Sequence, residues 1–96
     1  MERIVKEIVD YLLTLPEGTE VSTGQVIEKL YGNNYLNSEG YDIYGKRYYF
    51  DDFFKIDNRV YALAKKRGLI LDGSKYEGTV TGLPFDVPYV LRRKRK

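Results

Sequence analysis

Apolar residues recur at helical spacing over residues 51–68, and the rest of the chain is organised around this stretch. Five of them lie at steps of three and four, and therefore on one face of a helix: Phe53, Ile56, Val60, Leu63 and Ala64. The opposite face, with Arg59 at its edge, carries Lys55, Asn58, Ala62, Lys65 and Lys66. Asp51 or Asp52 is expected to cap the start, and Gly68 to take the left-handed position after the end.

Two further helices are predicted ahead of this one. Residues 2–13 carry a broad apolar stripe with charged residues outside it, and the Pro16-Glu17-Gly18 run ends that helix. Residues 19–21 are expected to form a short strand. Ser22 and Gln25 have the spacing of a capping box, so a second helix is predicted over residues 23–31, with Gly32 as its stop. We expect the helices to share one core that includes Ile8, Leu12, Ile27, Leu30, Val60 and Leu63.

Residues 33–50 combine turn-forming and aromatic residues. Asparagine and glycine favour turns, whereas five of the ten tyrosines of the chain lie here and favour packed or contacting surface. Because a structureless loop of this length is unusual in a small domain, either the segment packs on the body through its tyrosines or the third helix begins as early as Lys46. The tyrosines either cover the core or contact a partner, and a protein partner would be reached through Tyr35, Tyr41 and Tyr44.

The C-terminal part of the chain predicts strands. Residues 68–72 form a short strand, Asp72-Gly73 is typical of a tight turn, and residues 76–81 alternate weakly. Residues 82–88 contain two prolines and are expected to be a loop. Residues 89–93 predict a final strand with Tyr89 and Leu91 on one face. The fold class is therefore α+β: one domain over residues 1–96, with three helices, a small antiparallel sheet and a basic tail at residues 92–96.

Composition excludes several kinds of chemistry. The chain has neither cysteine nor histidine, so it lacks disulfides, thiolate metal ligands and the commonest catalytic base. No glycine-rich phosphate loop and no calcium-loop spacing occur. Adjacent carboxylates at Asp51 and Asp52 are explained by helix capping. We therefore expect a non-enzymatic protein without a cofactor or a metal ion.

Charge is distributed unevenly along the chain. Residues 1–50 carry five Lys/Arg against eight Asp/Glu, whereas residues 51–96 carry eleven against six. A basic half favours an anionic partner, and Arg92 and Arg93 in the tail would attract phosphate. The alternative is that the tail is only solvated and disordered. No apolar run approaches the roughly 20 residues that span a bilayer, and the first residues lack the shape of a signal peptide, so a cytoplasmic protein is expected.

The order helix, short strand, helix, helix, hairpin resembles the winged-helix superfamily, in particular its small bacterial or phage-type members. The passage over residues 60–70 is similar to the end of a recognition helix that enters the first wing strand. Two features differ from that pattern. Residues 32–51 are far longer than the usual turn of about three or four residues. In addition, Asp51, Asp52 and Asp57 place negative charge on the N-terminal half of the third helix.

The resemblance implies duplex DNA as the partner. In DNA-binding members the third helix enters the major groove and the wing touches phosphate or the minor groove. By that resemblance Lys55, Asn58, Arg59, Lys65 and Lys66 would face DNA, and Lys75 would lie near the wing. The same side chains also fit an ordinary solvated helix face. A protein-interaction module that uses the tyrosine-rich segment is the second functional hypothesis.

Overall fold

The computed structural model describes residues 2–32, 41–43, 46–48, 50–73 and 87–93. For residues 41–43, 46–48, 50 and 51 it describes the backbone alone. The elements in these ranges are, in chain order, α1 (Glu2–Thr14), β1 (Glu20–Val21), α2 (Thr23–Tyr31), β2 (Tyr41–Ile43), β3 (Lys46–Tyr48), α3 (Phe50–Lys66), β4 (Leu69–Asp72) and β5 (Tyr89–Arg93). The predicted α+β class, three helices with a small antiparallel sheet, is confirmed. None of the described helices combines the length and apolar content that crossing a membrane requires.

Helix α1 buries the stripe that its sequence predicts. Its buried residues all lie on one face: Ile4, Val5, Ile8, Val9 and Leu12. After Thr14 the chain leaves the helix at Pro16 and turns at Gly18, whose φ of 92° is in the left-handed region that favours glycine. The Gly18 N–H donates to the Leu91 carbonyl at 2.7 Å, so this turn is tied to β5.

Helix α2 has the ends that were predicted. The Gln25 N–H donates to the Ser22 hydroxyl (3.2 Å) and the Ser22 N–H donates to the Gln25 side-chain oxygen (3.1 Å), which completes the capping box. At the other end Gly32 is left-handed (φ 69°), and its N–H donates to the Glu28 carbonyl at 2.8 Å. These local bonds fix both boundaries of the helix.

Helix α3 buries Phe53, Ile56, Val60 and Ala64, as predicted. It begins at Phe50, so Asp51 and Asp52 lie inside its first turn and the prediction that one of them caps it was wrong. A start near Lys46 is also wrong, because Lys46–Tyr48 is a strand paired antiparallel with Tyr41–Ile43. Beyond the helix, Gly68 has a φ of 82°, as expected of a residue after a helix end.

Two residues of the predicted core lie differently. Leu30 is 37% exposed, so its assignment to the core was wrong. The buried residues of α2 all lie in its first half, and in its last turn the side chain that packs against the core is Tyr31, whose hydroxyl donates to the Glu7 carboxylate of α1 at 2.9 Å. Leu63 is only partly buried, although it packs against the core, and the more deeply buried position one turn away is Val60. The predicted buried face of α3 is therefore confirmed, but Leu63 lies towards the edge of that face.

The sheet joins the two halves of the chain. Its strand order is β1-β5-β4 and both pairings are antiparallel, with Leu71 opposite Leu91 and Val21 opposite Tyr89. Leu69, Leu71, Tyr89 and Leu91 are buried on one side of it, against the helices. The Thr23 hydroxyl and the Tyr89 hydroxyl, both buried, are hydrogen-bonded at 2.8 Å and connect α2 to the sheet.

Several predictions for the C-terminal part concern residues that lie outside the described ranges. They are Lys75, the strand over residues 76–81 and most of the loop over residues 82–88. The described partner of β4 in the sheet is β5, and Gly73 after β4 has a φ of 87°, as a turn residue requires. The final strand is confirmed, with Tyr89 and Leu91 on its buried face.

Candidate nucleic-acid interface

The exposed face of α3 carries every residue that was predicted for it. All six are exposed: Lys55, Asn58, Arg59, Ala62, Lys65 and Lys66. They lie opposite the buried stripe because a helix with 3.6 residues per turn separates the two sets by about half a turn. Within the described part of the chain, none of the four cations among them forms an ion pair. Their charge is therefore available to an anionic partner.

This face divides into two rows. Steps of four, three and four place Lys55, Arg59, Ala62 and Lys66 in one row, which is about 16 Å long at 1.5 Å per residue. Asn58 and Lys65 lie beside that row, on the side away from α1. The row with Arg59 therefore borders α1, and the two rows can be altered separately.

Not all of the acidic side chains of α3 lie beside the cations on its exposed face. Asp57 is buried, with 5% of its surface exposed, so its carboxylate does not lie on the exposed face. Asp52 is half-buried. The pattern of charges in the sequence overestimates the negative charge on this helix surface, because it does not show which carboxylates face inward.

Arg92 and Arg93 do not belong to a disordered tail. Both lie in β5, which corrects the predicted tail for these two positions, and residues 94–96 lie outside the described ranges. The Arg92 guanidinium is 3.6 Å from the Asp72 carboxylate on the neighbouring strand, and both side chains are about half exposed. Arg92 thus lies on the exposed surface of the β4–β5 pair, where it has an acidic neighbour.

Arg93 has a structural contact that the sequence did not indicate. Its Nη2 donates to the carbonyls of Leu13 (3.0 Å) and Leu15 (2.9 Å) at the C-terminal end of α1. The last carbonyls of a helix have no partner within the helix, and the last turn of α1 contains no basic residue of its own. Arg93, from the opposite end of the chain, supplies the missing donor and positive charge.

A groove of about 570 Å³ lies between α1 and α3. From α1 it is lined by Glu2, Val5 and Lys6; the rest of the lining comes from α3 and the residue after it, namely Arg59, Ala62, Leu63, Lys66 and Arg67. Apolar side chains from both helices and cations from both helices therefore meet in one depression. No pattern in the sequence predicted this groove.

The Asp10 carboxylate bonds to two cations that line this groove. The Lys6 ammonium donates to Oδ2 of Asp10 at 3.0 Å, and the Arg67 guanidinium donates to Oδ1 at 2.5 Å. The hydrogen bond from Arg67 first, and that from Lys6 second, lower the pKa of the Asp10 carboxyl below its ordinary value of 3.8. The carboxylate links α1 to the end of α3.

Asp10→Asn is expected to lower the urea midpoint of unfolding at neutral pH. A carboxyl whose pKa is lowered by folding stabilises the folded state above its unfolded pKa, and that contribution is lost as the pH falls through the folded pKa. The difference between the variant and the unchanged protein should therefore shrink below about pH 3.8. Glu28→Gln, which removes an exposed carboxylate from α2, is the control for the loss of one negative charge. An Asp10→Asn difference that is the same at pH 7 and about pH 2.5 would contradict the assignment.

The tyrosine-rich segment is only partly described. Tyr35 and Tyr44 lie outside the described residues, and Tyr41 is described by its backbone in β2. The pairing of Ile43 with Lys46 leaves two residues between β2 and β3, which is the spacing of a tight hairpin. No strand was predicted in this segment from the sequence.

Searches against protein-family models, curated proteins and solved structures found no significant match to this chain. Within the described ranges no group of three or more carboxylate, histidine or cysteine side chains is placed to hold a metal ion. Functional inference therefore depends on the geometry and charge of the chain itself.

Proposed function

We propose that this chain is a cytoplasmic, non-enzymatic, winged-helix-like domain that binds duplex DNA through the exposed face of α3. The observation that carries the proposal is the set of cations on that face, Lys55, Arg59, Lys65 and Lys66, which lack ion pairs within the described residues. Duplex DNA presents one negative charge per about 1.7 Å of its axis, so a row of cations about 16 Å long meets several phosphates.

The arrangement of elements supports the winged-helix part of the proposal. Helix, strand, helix, helix and two strands follow one another, if the β2–β3 hairpin is set aside as an insertion. The last strand, β5, lies between the first strand and β4 in one sheet. That hairpin lies between α2 and α3, so these helices are not joined by a short turn. We infer that α3 and the β4–β5 surface form the DNA contact and that α2 does not contribute to it.

Different residues would have different roles on DNA. Lys65 and Lys66, at the C-terminal end of α3, would contact phosphates, which position a protein without reading sequence. Lys55 and Asn58, nearer the N-terminal end, would reach base edges in the major groove. Arg59 would lie between these two groups, and Ala62, which is small, would allow close approach of the helix. Arg92 and Lys75 would contact the flanking backbone. Arg93 is not part of the proposed DNA contact, because its guanidinium donates hydrogen bonds to the end of α1.

The test is binding to labelled duplexes across a series of salt concentrations, measured by fluorescence anisotropy. Replacing Lys65 and Lys66 together by alanine should weaken binding to all sequences alike, because phosphate contacts carry no base information. Each lost phosphate contact should also make the fall of log affinity with log salt less steep, by about 0.9. The charge-matched control replaces Arg3 and Lys29, exposed on α1 and α2, and should change the slope much less. Lys55→Ala or Asn58→Ala should instead change the preference at one base pair by about 1–3 kcal/mol.

Two results would overturn this proposal. If deletion of residues 94–96 abolishes binding and the Lys65/Lys66 variant binds normally, the tail rather than α3 attracts the DNA. If the protein has no affinity for duplex DNA even at low salt, the nucleic-acid hypothesis fails. The interaction module that uses Tyr35, Tyr41 and Tyr44 would then be the leading hypothesis.

A further inference from the structure

The groove between α1 and α3 combines an apolar floor with a cationic rim. Its apolar part comes from Val5 on one helix and from Ala62 and Leu63 on the other. Ala62 is exposed and has the smallest side chain of the set, so the depression stays open at its centre. DNA binding through the face of α3 requires cations but gives no role to an apolar floor, and the groove therefore has a feature that the proposed function does not use.

The charges on the rim have one dominant sign. Four cations line the groove, Lys6, Arg59, Lys66 and Arg67, against one carboxylate among the described lining residues, that of Glu2. Lys6 and Arg67 are held in place by the shared contact with Asp10, whereas Arg59 and Lys66 have no ion pair within the described residues. Cations thus lie on both walls of the groove: Lys6, which shares the α1 wall with the carboxylate of Glu2, and Arg59 and Lys66 on the α3 wall.

This arrangement is complementary to one kind of ligand. A small anion with a single head group can pair with one wall of the groove but leaves the cations of the other wall without a partner. An acidic amphipathic helix carries carboxylates on both sides of an apolar stripe, and such helices bind to other proteins by laying that stripe into a groove between helices. The volume of about 570 Å³ is sufficient for several apolar side chains.

We propose that the α1–α3 groove is a docking site for an acidic amphipathic helical segment of a partner protein. The apolar side chains of the segment contact Val5, Ala62 and Leu63, and its carboxylates pair with Lys6, Arg59 and Lys66. Because Arg59 and Lys66 also lie on the α3 face, the bound segment and DNA exclude each other. This exclusion depends on the proposed DNA-binding function, whereas the docking itself does not.

The experiment uses the full chain and a synthetic peptide of about 14 residues, four helical turns, with leucines at helical spacing and glutamates on both sides of them. A peptide with the same composition in scrambled order is the control. Binding is measured by titration calorimetry, and the site is located from changes in the amide NMR spectrum. The ordered peptide should bind and shift resonances of α1 and α3 that line the groove, and the scrambled peptide should bind at least about tenfold more weakly, because only the ordered peptide presents a continuous apolar stripe.

Charge-reversal variants separate the two activities. Lys6→Glu, on the α1 wall, should weaken peptide binding by about tenfold and leave DNA binding similar to that of the control Lys29→Glu, which has the same net charge. Lys65→Glu, which lies away from the groove, should do the opposite, and Arg59→Glu should weaken both. Circular dichroism of each variant verifies that it is folded, and unlabelled peptide should displace labelled DNA from the unchanged protein.

The outcomes distinguish this inference from the proposed function. Peptide binding that depends on Lys6, without any DNA binding, supports the docking site and overturns the DNA proposal. DNA binding without any peptide binding leaves the DNA proposal standing and overturns the docking site. Equal binding of the ordered and scrambled peptides also overturns the docking site. Dodecanoate, which has an apolar chain and a single carboxylate, is tested as an alternative ligand. If dodecanoate occupies the groove and the peptide does not, the ligand is not an amphipathic helix and the docking proposal is wrong.

Discussion

Ile56→Ala is expected to lower the free energy of unfolding by about 2–5 kcal/mol, whereas Leu63→Ala should lower it by less than about 2 kcal/mol. Ile56 is fully buried in the centre of α3, and its removal leaves a cavity that the surrounding core fills only partly. Leu63 is partly buried at the edge of the same core, where water can replace the lost side chain. The measurement is urea unfolding of both variants under identical conditions.

The two substitutions are a matched pair. Each shortens a four-carbon aliphatic side chain of the same helix to a methyl group, and the intrinsic helix propensities of isoleucine and leucine differ by only a few tenths of a kcal/mol. The difference between the two results therefore reports mainly on burial. If Leu63→Ala costs as much as Ile56→Ala, the register of α3 against the core is wrong, and with it the assignment of the exposed cationic face.

Arg93→Met is expected to cost about 1.5–3 kcal/mol, because it removes charge-assisted hydrogen bonds to the carbonyls of Leu13 and Leu15. Methionine retains an unbranched apolar stem, so most of the packing along the side chain is preserved. The loss should appear as a lower urea midpoint and as faster amide hydrogen exchange in the last turn of α1, where the carbonyls lose their donor.

Arg92→Met is the control for this prediction. It removes the same charge from the adjacent residue of the same strand, but its ion pair with Asp72 is about half exposed. Surface pairs of this kind contribute about 0–1 kcal/mol, so this variant should remain close to the unchanged protein. Equal destabilisation by both substitutions would mean that the loss of positive charge, rather than the contact with α1, determines the effect.

Elements with local signals were predictable from the sequence. The boundaries of α2 are set by Ser22, Gln25 and Gly32, all within or next to the helix, so the residues that determine the structure are neighbours in the sequence. The exposed face of α3 was predictable for a similar reason. Helical geometry fixes which residues lie opposite a buried stripe, whatever the stripe packs against.

Features that depend on distant parts of the chain were not predictable. Leu30 continues the apolar spacing of α2 and is nevertheless exposed, because periodicity does not show which positions of an apolar stripe the neighbouring elements cover. Arg93 contacts residues 78 and 80 positions away, and nothing near it in the sequence marks that partner. In the candidate site the same limit applies to the α1–α3 groove, because its walls meet only through packing of helices far apart in the chain.

The central position of β5 has a consequence for the order of folding. Strands β1 and β5 pair although they are about 70 residues apart, so loop-closure entropy opposes the pairing until the intervening chain has folded. Relative to a simple helical bundle, such long-range pairing slows folding. During synthesis all three helices are complete before β5 exists, and their apolar sides that face the sheet stay uncovered. The nascent chain is therefore expected to present chaperone-binding surface until residue 93 has left the ribosome.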